Sequence, residues 1–154
     1  MRYLVLVLLV IGLACDAVAQ SITVVNNLQF GNVFPGVPKT VAKTAAGAAA
    51  EFTVSGAAGL EVNCTFTLPT YVSRAGGHTM NLIFSKTDCS MDSSASPSQS
   101  SPGYNNLDPW HTITYRLGST GLKIWLGGQI IPKIIQTPGA YTGPIVLTVA
   151  YTGG

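Results

Sequence analysis

One histidine of this chain has neighbours that could support acid–base chemistry. His111 follows Trp110 and lies three residues after Asp108, and the stretch Ser90–Ser101 supplies many hydroxyl groups. An enzyme needs a base, a nucleophile or a metal within reach of one another. A Ser-rich stretch is typical of a solvated spacer, and a Trp-His pair where a strand starts is typical of a packed corner. The sequence therefore predicts that the protein is not an enzyme and has no catalytic residues.

The carboxylates and histidines also lack the spacing of a metal site. Asp88, Asp92 and Asp108 do not follow the D-x-D-x-D pattern of a calcium-binding loop. His78 and His111 have no zinc-ligand spacing to a cysteine. We therefore expect neither a metal nor a cofactor.

Two cysteines could be joined by a covalent bond. If Cys15 is removed with an export signal, Cys64 and Cys89 remain, and two remaining cysteines pair readily in an oxidising compartment such as the periplasm. Closing the loop between them would contribute about 3 kcal/mol on a chain-entropy estimate. The sequence predicts a Cys64–Cys89 disulfide.

The first residues have the pattern of an export signal. Residues 1–3 include a positive charge, residues 4–13 are apolar but too few to span a bilayer, and Ala17-Val18-Ala19 fits an A-x-A cleavage site. We therefore expect a signal peptide over residues 1–19 and one domain over residues 20–154. A lipoprotein anchored at Cys15 is the competing interpretation, although Gly12 stands where a lipobox has a large aliphatic residue. No later run is long and apolar enough for a membrane helix.

The charge content is low and contains no basic run. Only 9% of the residues are charged, and Lys and Arg exceed Asp and Glu by two, whereas about 25% of the residues of a typical soluble domain are charged. Nucleic acid is therefore not an expected partner. A low-charge, strand-forming chain is typical of a surface or fibre subunit.

The elements that position these residues are strands. Along residues 60–68 apolar and polar residues alternate, which is typical of an antiparallel strand with one buried and one wet face. Similar short runs separated by Gly and Pro turns predict eight or nine strands, no helix and an all-β sandwich of two antiparallel sheets. We expect Leu28–Val33 to be extended and Ser90–Asn106 to be a long mobile loop.

The strongest strand pattern is at the C-terminal end of the chain. Two apolar faces alternate there, so this strand is expected in the middle of a sheet or covered on both sides. One face carries the candidate core or acceptor positions, which are Ile145, Leu147, Val149 and Tyr151.

Both ends of the predicted domain resemble a known family. Leu28–Val33 is similar to the "L-x-F-G-x-V" opening of the bacterial secreted domains called domain of unknown function 4402. Leu126-Gly127-Gly128, then Pro138–Gly143 and the strand closing on Tyr151, is similar to that family's finish. The spore coat protein U group of chaperone–usher-type pilins is a more distant resemblance. Together, these resemblances imply an immunoglobulin-like or pilin-like sandwich that acts in bacterial surface filaments or an extracellular matrix.

Such proteins associate by strand addition, in which an extended segment of one subunit completes the sheet of its neighbour. The candidate donor is Ser21–Val25, with Ile22 and Val24 as the pocket-filling side chains. The alternative is that this segment is the first strand of its own sandwich. The expected partners are further copies of the chain, together with a periplasmic chaperone or an outer-membrane secretion partner, and the expected location is the cell surface.

A second hypothesis is an adhesive or glycan-binding module. Trp110, Trp125 and Tyr104 could form an aromatic platform for a sugar. The alternative is that these rings belong to the core or cover a sheet.

Overall fold

The computed structural model describes residues 19–153. Within them the chain forms twelve strands and no helix: β1 (Ser21–Asn26), β2 (Lys39–Val41), β3 (Ala50–Ser55), β4 (Glu61–Thr67), β5 (Tyr71–Ser73), β6 (Thr79–Ile83), β7 (Cys89–Asp92), β8 (Tyr104–Leu107), β9 (Ile113–Arg116), β10 (Leu122–Leu126), β11 (Gly128–Ile131) and β12 (Val146–Tyr151). Cys15 and the predicted export signal, except its last residue Ala19, lie outside the described residues. In the described part, no helix could cross a membrane.

The strands form three antiparallel sheets. The five-stranded sheet has the order β1-β3-β10-β7-β8, the four-stranded sheet β2-β11-β6-β5, and the three-stranded sheet β12-β4-β9. The first two are joined where β10 continues into β11 through the single residue Gly127. A β-carbon placed on Gly127 would lie 2.5 Å from the carbonyl oxygen of Val41 and 2.6 Å from the backbone nitrogen of Lys43, so this junction requires a glycine.

The core lies where the inner faces of the sheets meet. In β4 the alternating Val62, Cys64 and Phe66 are buried, while the residues between them are more exposed. They pack in one cluster with residues of the two joined sheets, among them Phe52, Val54, Met91, Leu122, Ile124 and Leu126. The prediction of an all-β sandwich is confirmed. The number of strands was underestimated, because the short strands β5, β7 and β8 have no long alternating pattern and were not expected.

The predicted loop over Ser90–Asn106 is wrong at both ends. Its first residues belong to β7 and its last to β8. Between them, the buried carboxylate of Asp92 accepts hydrogen bonds from the backbone N–H groups of Ser94 (2.8 Å) and Ser98 (3.1 Å). The Ser-rich composition did not indicate this ordered turn, because a single carboxylate holds it in place.

Two further expectations are corrected. The segment Leu28–Val33 is not a strand, although Leu28, Phe30 and Val33 pack against the core. The C-terminal strand β12 is an edge strand that pairs with β4 alone. The alternation of apolar residues suggested that both faces of this strand are covered. Its second face, which includes Val146, is instead exposed.

Candidate functional site

Strand β1 is an edge strand with unusually exposed apolar side chains. It pairs only with β3, and Ile22 is opposite Val54 while Val24 is opposite Phe52. Directly opposed residues of an antiparallel pair point to the same face, and both partners are buried in the core. Ile22 and Val24 therefore lie on the core-facing side, yet they are 39% and 55% exposed, because little of the opposite layer covers them.

The residue before β1 ties this strand to the opposite layer. The side-chain amide nitrogen of Gln20 donates a hydrogen bond to the backbone carbonyl of Val149 in β12. The amide oxygen of Gln20 is buried without a hydrogen-bond partner. The start of β1 thus lies beside the C-terminal strand.

Strand β12 presents an unpaired backbone edge on this side of the sandwich. The N–H of Thr152 donates to the carbonyl of Glu61 (3.0 Å), which identifies the residues of even number as those hydrogen-bonded to the neighbouring strand. The backbone groups of Leu147, Val149 and Tyr151 therefore point away from β4. Gln20 satisfies one of them.

The segment that follows β1 has few backbone hydrogen bonds. We call residues 27–33 the hinge segment. Among the described residues, Gln29 alone in this segment donates its backbone N–H to another backbone group, the carbonyl of Ala48 at 2.8 Å. Gly31 adopts a φ of +59°, which suits glycine. The hinge segment is held mainly by its side chains.

A groove of about 780 Å³ opens between the hinge segment and the residues that precede β12. Its floor consists of buried side chains of the core, which are Phe52, Val72, Met80, Leu82 and Ile130. Val24 and Ile145 lie at its wall. The structure thus brings together the predicted donor strand and the start of the predicted acceptor face at one groove with an apolar floor.

The four candidate residues of the C-terminal strand share one face. Val149 is buried, and Ile145, Leu147 and Tyr151 are partly buried against the core. The hydroxyl of Tyr151 accepts a hydrogen bond from the backbone N–H of Ala57 at 3.1 Å. These residues are core positions of an edge strand.

Cys64 and Cys89 are free thiols in the structure, so the disulfide expected from the sequence is not formed there. Burial raises the pKa of the Cys64 thiol to about 11. Burial, with a further contribution from Cys64, raises the pKa of Cys89 to about 12. Because the thiolate is the species that starts disulfide exchange, the raised pKa values lower the reactivity of both thiols at neutral pH.

The structure separates the three aromatic candidates. Trp125 is buried and its indole N–H has no partner, so it cannot offer a ring to a ligand and the predicted three-residue platform is wrong. Trp110 is half-exposed, donates its indole N–H to the carbonyl of Phe84 (2.9 Å) and packs edge-on against that ring. Tyr104 is exposed and packs edge-on against Tyr115.

Two of the polar candidates, Asp108 and His111, lie in one local turn. The Asp108 carboxylate accepts the backbone N–H of Trp110 at 3.0 Å and lies 3.1 Å from Nδ1 of His111. The hydrogen bond from Trp110, with a smaller contribution from His111, holds the pKa of Asp108 below its ordinary value. Within residues 19–153 no three His, Cys, Asp or Glu side chains are grouped as a metal site.

Sequence patterns did not indicate Gln20 or the hinge segment as parts of this site. A single polar residue before a strand carries no signal of its own, and the Leu28–Val33 pattern was interpreted as a strand. The turn residues Gly139–Gly143 also line the groove. Their composition indicated only a turn.

Comparison with protein families gives one match. The family described as "Domain of unknown function (DUF4402)" matches residues 35–151, which is more than half of the chain. The match includes the C-terminal Gly-Gly, Tyr and strand motifs and begins after the hinge segment. Comparison with curated proteins gives no match. The chain belongs to the DUF4402 family of domains of unknown function.

Proposed function

We propose that this chain is an exported structural subunit of a cell-surface filament, pilus or extracellular matrix, which self-associates by β-strand addition. One observation carries the proposal. Strand β1 is bound to a single neighbour, and its apolar side chains Ile22 and Val24 remain 39% and 55% exposed on the core-facing side. An exposed, β-branched edge strand is a ready template for pairing with another chain.

The proposed donor is β1 together with Gln20, and the proposed acceptor is the same place in a second copy. In the exchange, β1 leaves its own sheet and pairs with β3 of a neighbouring copy. Each contact that β1 makes within one chain is then replaced by the same contact between two chains. Val24 enters the mouth of the groove, and Gln20 reaches the carbonyl of Val149. The acceptor is thus the β3 edge, flanked by β12.

The hinge segment supports this exchange. Moving β1 requires the backbone of residues 27–33 to straighten, and of those residues only Gln29 would lose a backbone hydrogen bond. Because the exchanged contacts are identical, the energy of association comes from the new interface that forms beside the hinge segment. When β1 has left and no neighbour has yet donated its strand, the edge of β3 is unpaired. We assign the covering of this edge to a periplasmic chaperone or an outer-membrane secretion partner.

The low charge content agrees with a subunit that is packed among its own copies.

Cross-linking between β1 and β3 tests the exchange directly. Thr23 lies opposite Thr53, a separation that a disulfide can span. One batch carries Thr23→Cys and a second, enlarged by a tag, carries Thr53→Cys. After mixing and oxidation we expect a cross-linked product of both sizes, because the donated strand brings the two cysteines together.

The matched control pairs Thr23→Cys with Thr114→Cys, which lies exposed on β9 in another sheet. It should give no cross-link. If the Thr23/Thr53 mixture also stays uncross-linked, while a chain with both cysteines closes its own bond, β1 remains in its own sheet and the exchange proposal is wrong.

A second candidate function is an adhesive or glycan-binding module. It is favoured by Trp110, which is half-exposed and fixed in orientation by Phe84. Trp110→Ala would remove glycan binding if that were the function, without changing the size of assemblies. A glycan-binding screen with this variant distinguishes the two candidates.

A further inference from the structure

Four exposed apolar side chains lie together at one end of the four-stranded sheet. They come from two neighbouring loops, and the largest exposures are those of Phe34 (72%), Ile134 (85%) and Ile135 (90%), with Val37 also exposed. We call Phe34, Val37, Ile134 and Ile135 the apolar tip. The tip lies outside β1, and its first residue Phe34 directly follows the hinge segment; the exchange of β1 does not need it.

The two loops of the tip are fixed to each other. The N–H of Gly36 donates to the carbonyl of Lys133 at 3.0 Å, and a β-carbon placed on Gly36 would lie 3.6 Å from the Cα of Ile134. The first loop is closed by the N–H of Val37, which donates to the carbonyl of Phe34 at 3.1 Å. The side chains of the tip are therefore presented as one surface.

Gln136 fastens the second loop to the body of the domain. Its side-chain oxygen accepts the N–H of Lys133 (3.1 Å), and its side-chain nitrogen donates to the Tyr141 hydroxyl (2.6 Å). Its backbone N–H closes the turn by donating to the carbonyl of Lys133 (3.1 Å). Ile134 and Ile135 occupy the two central positions of a braced turn, so their exposure is a built feature of the fold.

The charges around the tip are all positive. Lys133 is part of the second loop, Lys39 starts β2 next to the first loop, and Arg74 reaches the carbonyl of Pro138 beside it. Asp and Glu are absent from residues 19–50, from residues 62–87 and from the chain beyond residue 108, which include every loop at this end. The carboxylates belong to the other two sheets and to the far end of the four-stranded sheet.

From this combination we infer that the apolar tip docks on an anionic lipid surface. Apolar side chains that enter the headgroup region, flanked by basic residues that meet anionic headgroups, are the features of interfacial membrane binding. A second copy fits less well, because a symmetric contact between two tips would bring Lys39, Lys133 and Arg74 of both copies together. Bound in this way, the domain would point the tip end of the four-stranded sheet towards the lipid. Strand β1 would remain accessible for exchange with a neighbouring copy.

Vesicle flotation with the exported chain beginning at Gln20 tests the inference, so that the apolar residues 4–13 do not contribute to lipid binding. The probes are vesicles of phosphatidylcholine alone and vesicles that also contain phosphatidylglycerol. We expect the protein to float with the anionic vesicles only, and less as the salt concentration rises. Ile134→Ser with Ile135→Ser should lower binding about tenfold or more, because the inserted apolar area is lost.

Two matched controls separate the tip from the rest of the surface. Ile83→Ser removes another exposed isoleucine, on β6, and should leave binding unchanged. Lys133→Glu should lower binding about tenfold, whereas Lys86→Glu, which makes the same change in net charge elsewhere on the surface, should not. Thermal unfolding of each variant verifies its fold.

Flotation with anionic vesicles that depends on Ile134, Ile135 and Lys133 supports the inference. Absence of flotation, equal flotation with phosphatidylcholine alone, or equal loss in Ile83→Ser overturns it. A change in oligomeric state caused by the isoleucine substitutions, without vesicle binding, would assign the tip to a protein contact and also overturn it.

Discussion

Gln20 and Val149 join the two ends of the domain. The Gln20 side chain donates a hydrogen bond to the Val149 carbonyl, on the edge of β12 that faces away from β4. This bond fastens the start of β1 to the opposite layer. In the proposed exchange the same bond forms between two copies, so it is one determinant of whether β1 stays bound or leaves.

Gln20→Ala should loosen β1 without unfolding the domain. One hydrogen bond contributes about 1 kcal/mol, and β1 has few other contacts to the three-stranded sheet. Hydrogen exchange measured by mass spectrometry should show about fivefold faster exchange in β1, with unchanged exchange in β4. Equal acceleration in both strands would mean that Gln20 acts on global stability, contrary to this account.

Asp92 should make the domain sensitive to acid. Its burial alone would raise the pKa of the carboxyl, but hydrogen bonds from Ser94, Ser98 and Gly103 outweigh burial and hold the pKa below the ordinary 3.8. A lowered folded pKa contributes stability above about pH 4 that is lost as the pH falls. Asp92→Asn should cost about 1–3 kcal/mol at neutral pH and make the unfolding free energy less dependent on acid.

Chemical denaturation at neutral and acidic pH measures both effects of Asp92→Asn. Glu61→Gln is the matched control, because Glu61 is exposed and its carboxylate forms no hydrogen bond or ion pair with the rest of residues 19–153. A wild-type protein that loses no more stability in acid than Asp92→Asn would contradict the role given to this carboxylate.

The buried thiols should weaken the domain at alkaline pH. Their pKa values, about 11 and about 12 in the folded state against 9.0 ordinarily, mean that the unfolded chain loses these protons first. Stability is therefore complete below about pH 9 and falls above it, by up to about 1.4 kcal/mol per pH unit for each thiol. Cys64→Ala with Cys89→Ala should be less stable overall but show a flatter alkaline slope in urea unfolding.

Thiol titration in denaturant without reductant provides the companion measurement. Free thiols at both positions agree with the structure. Absence of titratable thiol in protein recovered from an oxidising compartment would show that the disulfide predicted from the sequence forms before the core closes.

Gly127 should not tolerate a side chain. Alanine there would place its β-carbon against the backbone of Val41 and Lys43, so β10 and β11 could no longer join without a shift. We expect Gly127→Ala to destabilise the domain by about 2–4 kcal/mol. Gly103→Ala is the control, because its β-carbon would have ordinary contacts only. Equal melting temperatures for the two variants would contradict this reading of the junction.

Local patterns predicted the architecture well where one face is buried and the other is wet. The alternation in β4 correctly gave the core positions Val62, Cys64 and Phe66. The same reasoning placed β12 too centrally, because apolar residues on two faces cannot show whether a neighbouring strand exists. Its position at an edge depends on which strands pair, and pairing is decided by distant parts of the chain.

The candidate site was only partly predictable. Ile22 and Val24 were identified from their β-branched alternation, and the structure places them at an exposed edge. The groove could not be predicted, since it arises where the hinge segment fails to pair as a strand. Trp125 lies on the outer side of β10 and is nevertheless buried, which agrees with the alternative that this ring covers a sheet.

If β1 is the donated strand, Ile22 and Val24 mediate assembly, and comparing the wild type with one double variant decides this. The exported chain beginning at Gln20 and its Ile22→Asp, Val24→Asp variant would be compared by size-exclusion chromatography and electron microscopy, with circular dichroism to verify the fold. We expect filaments or heat-sensitive oligomers for the wild type and a folded monomer for the variant. Unchanged polymers in the variant, or a wild-type chain that stays monomeric when concentrated, would contradict it.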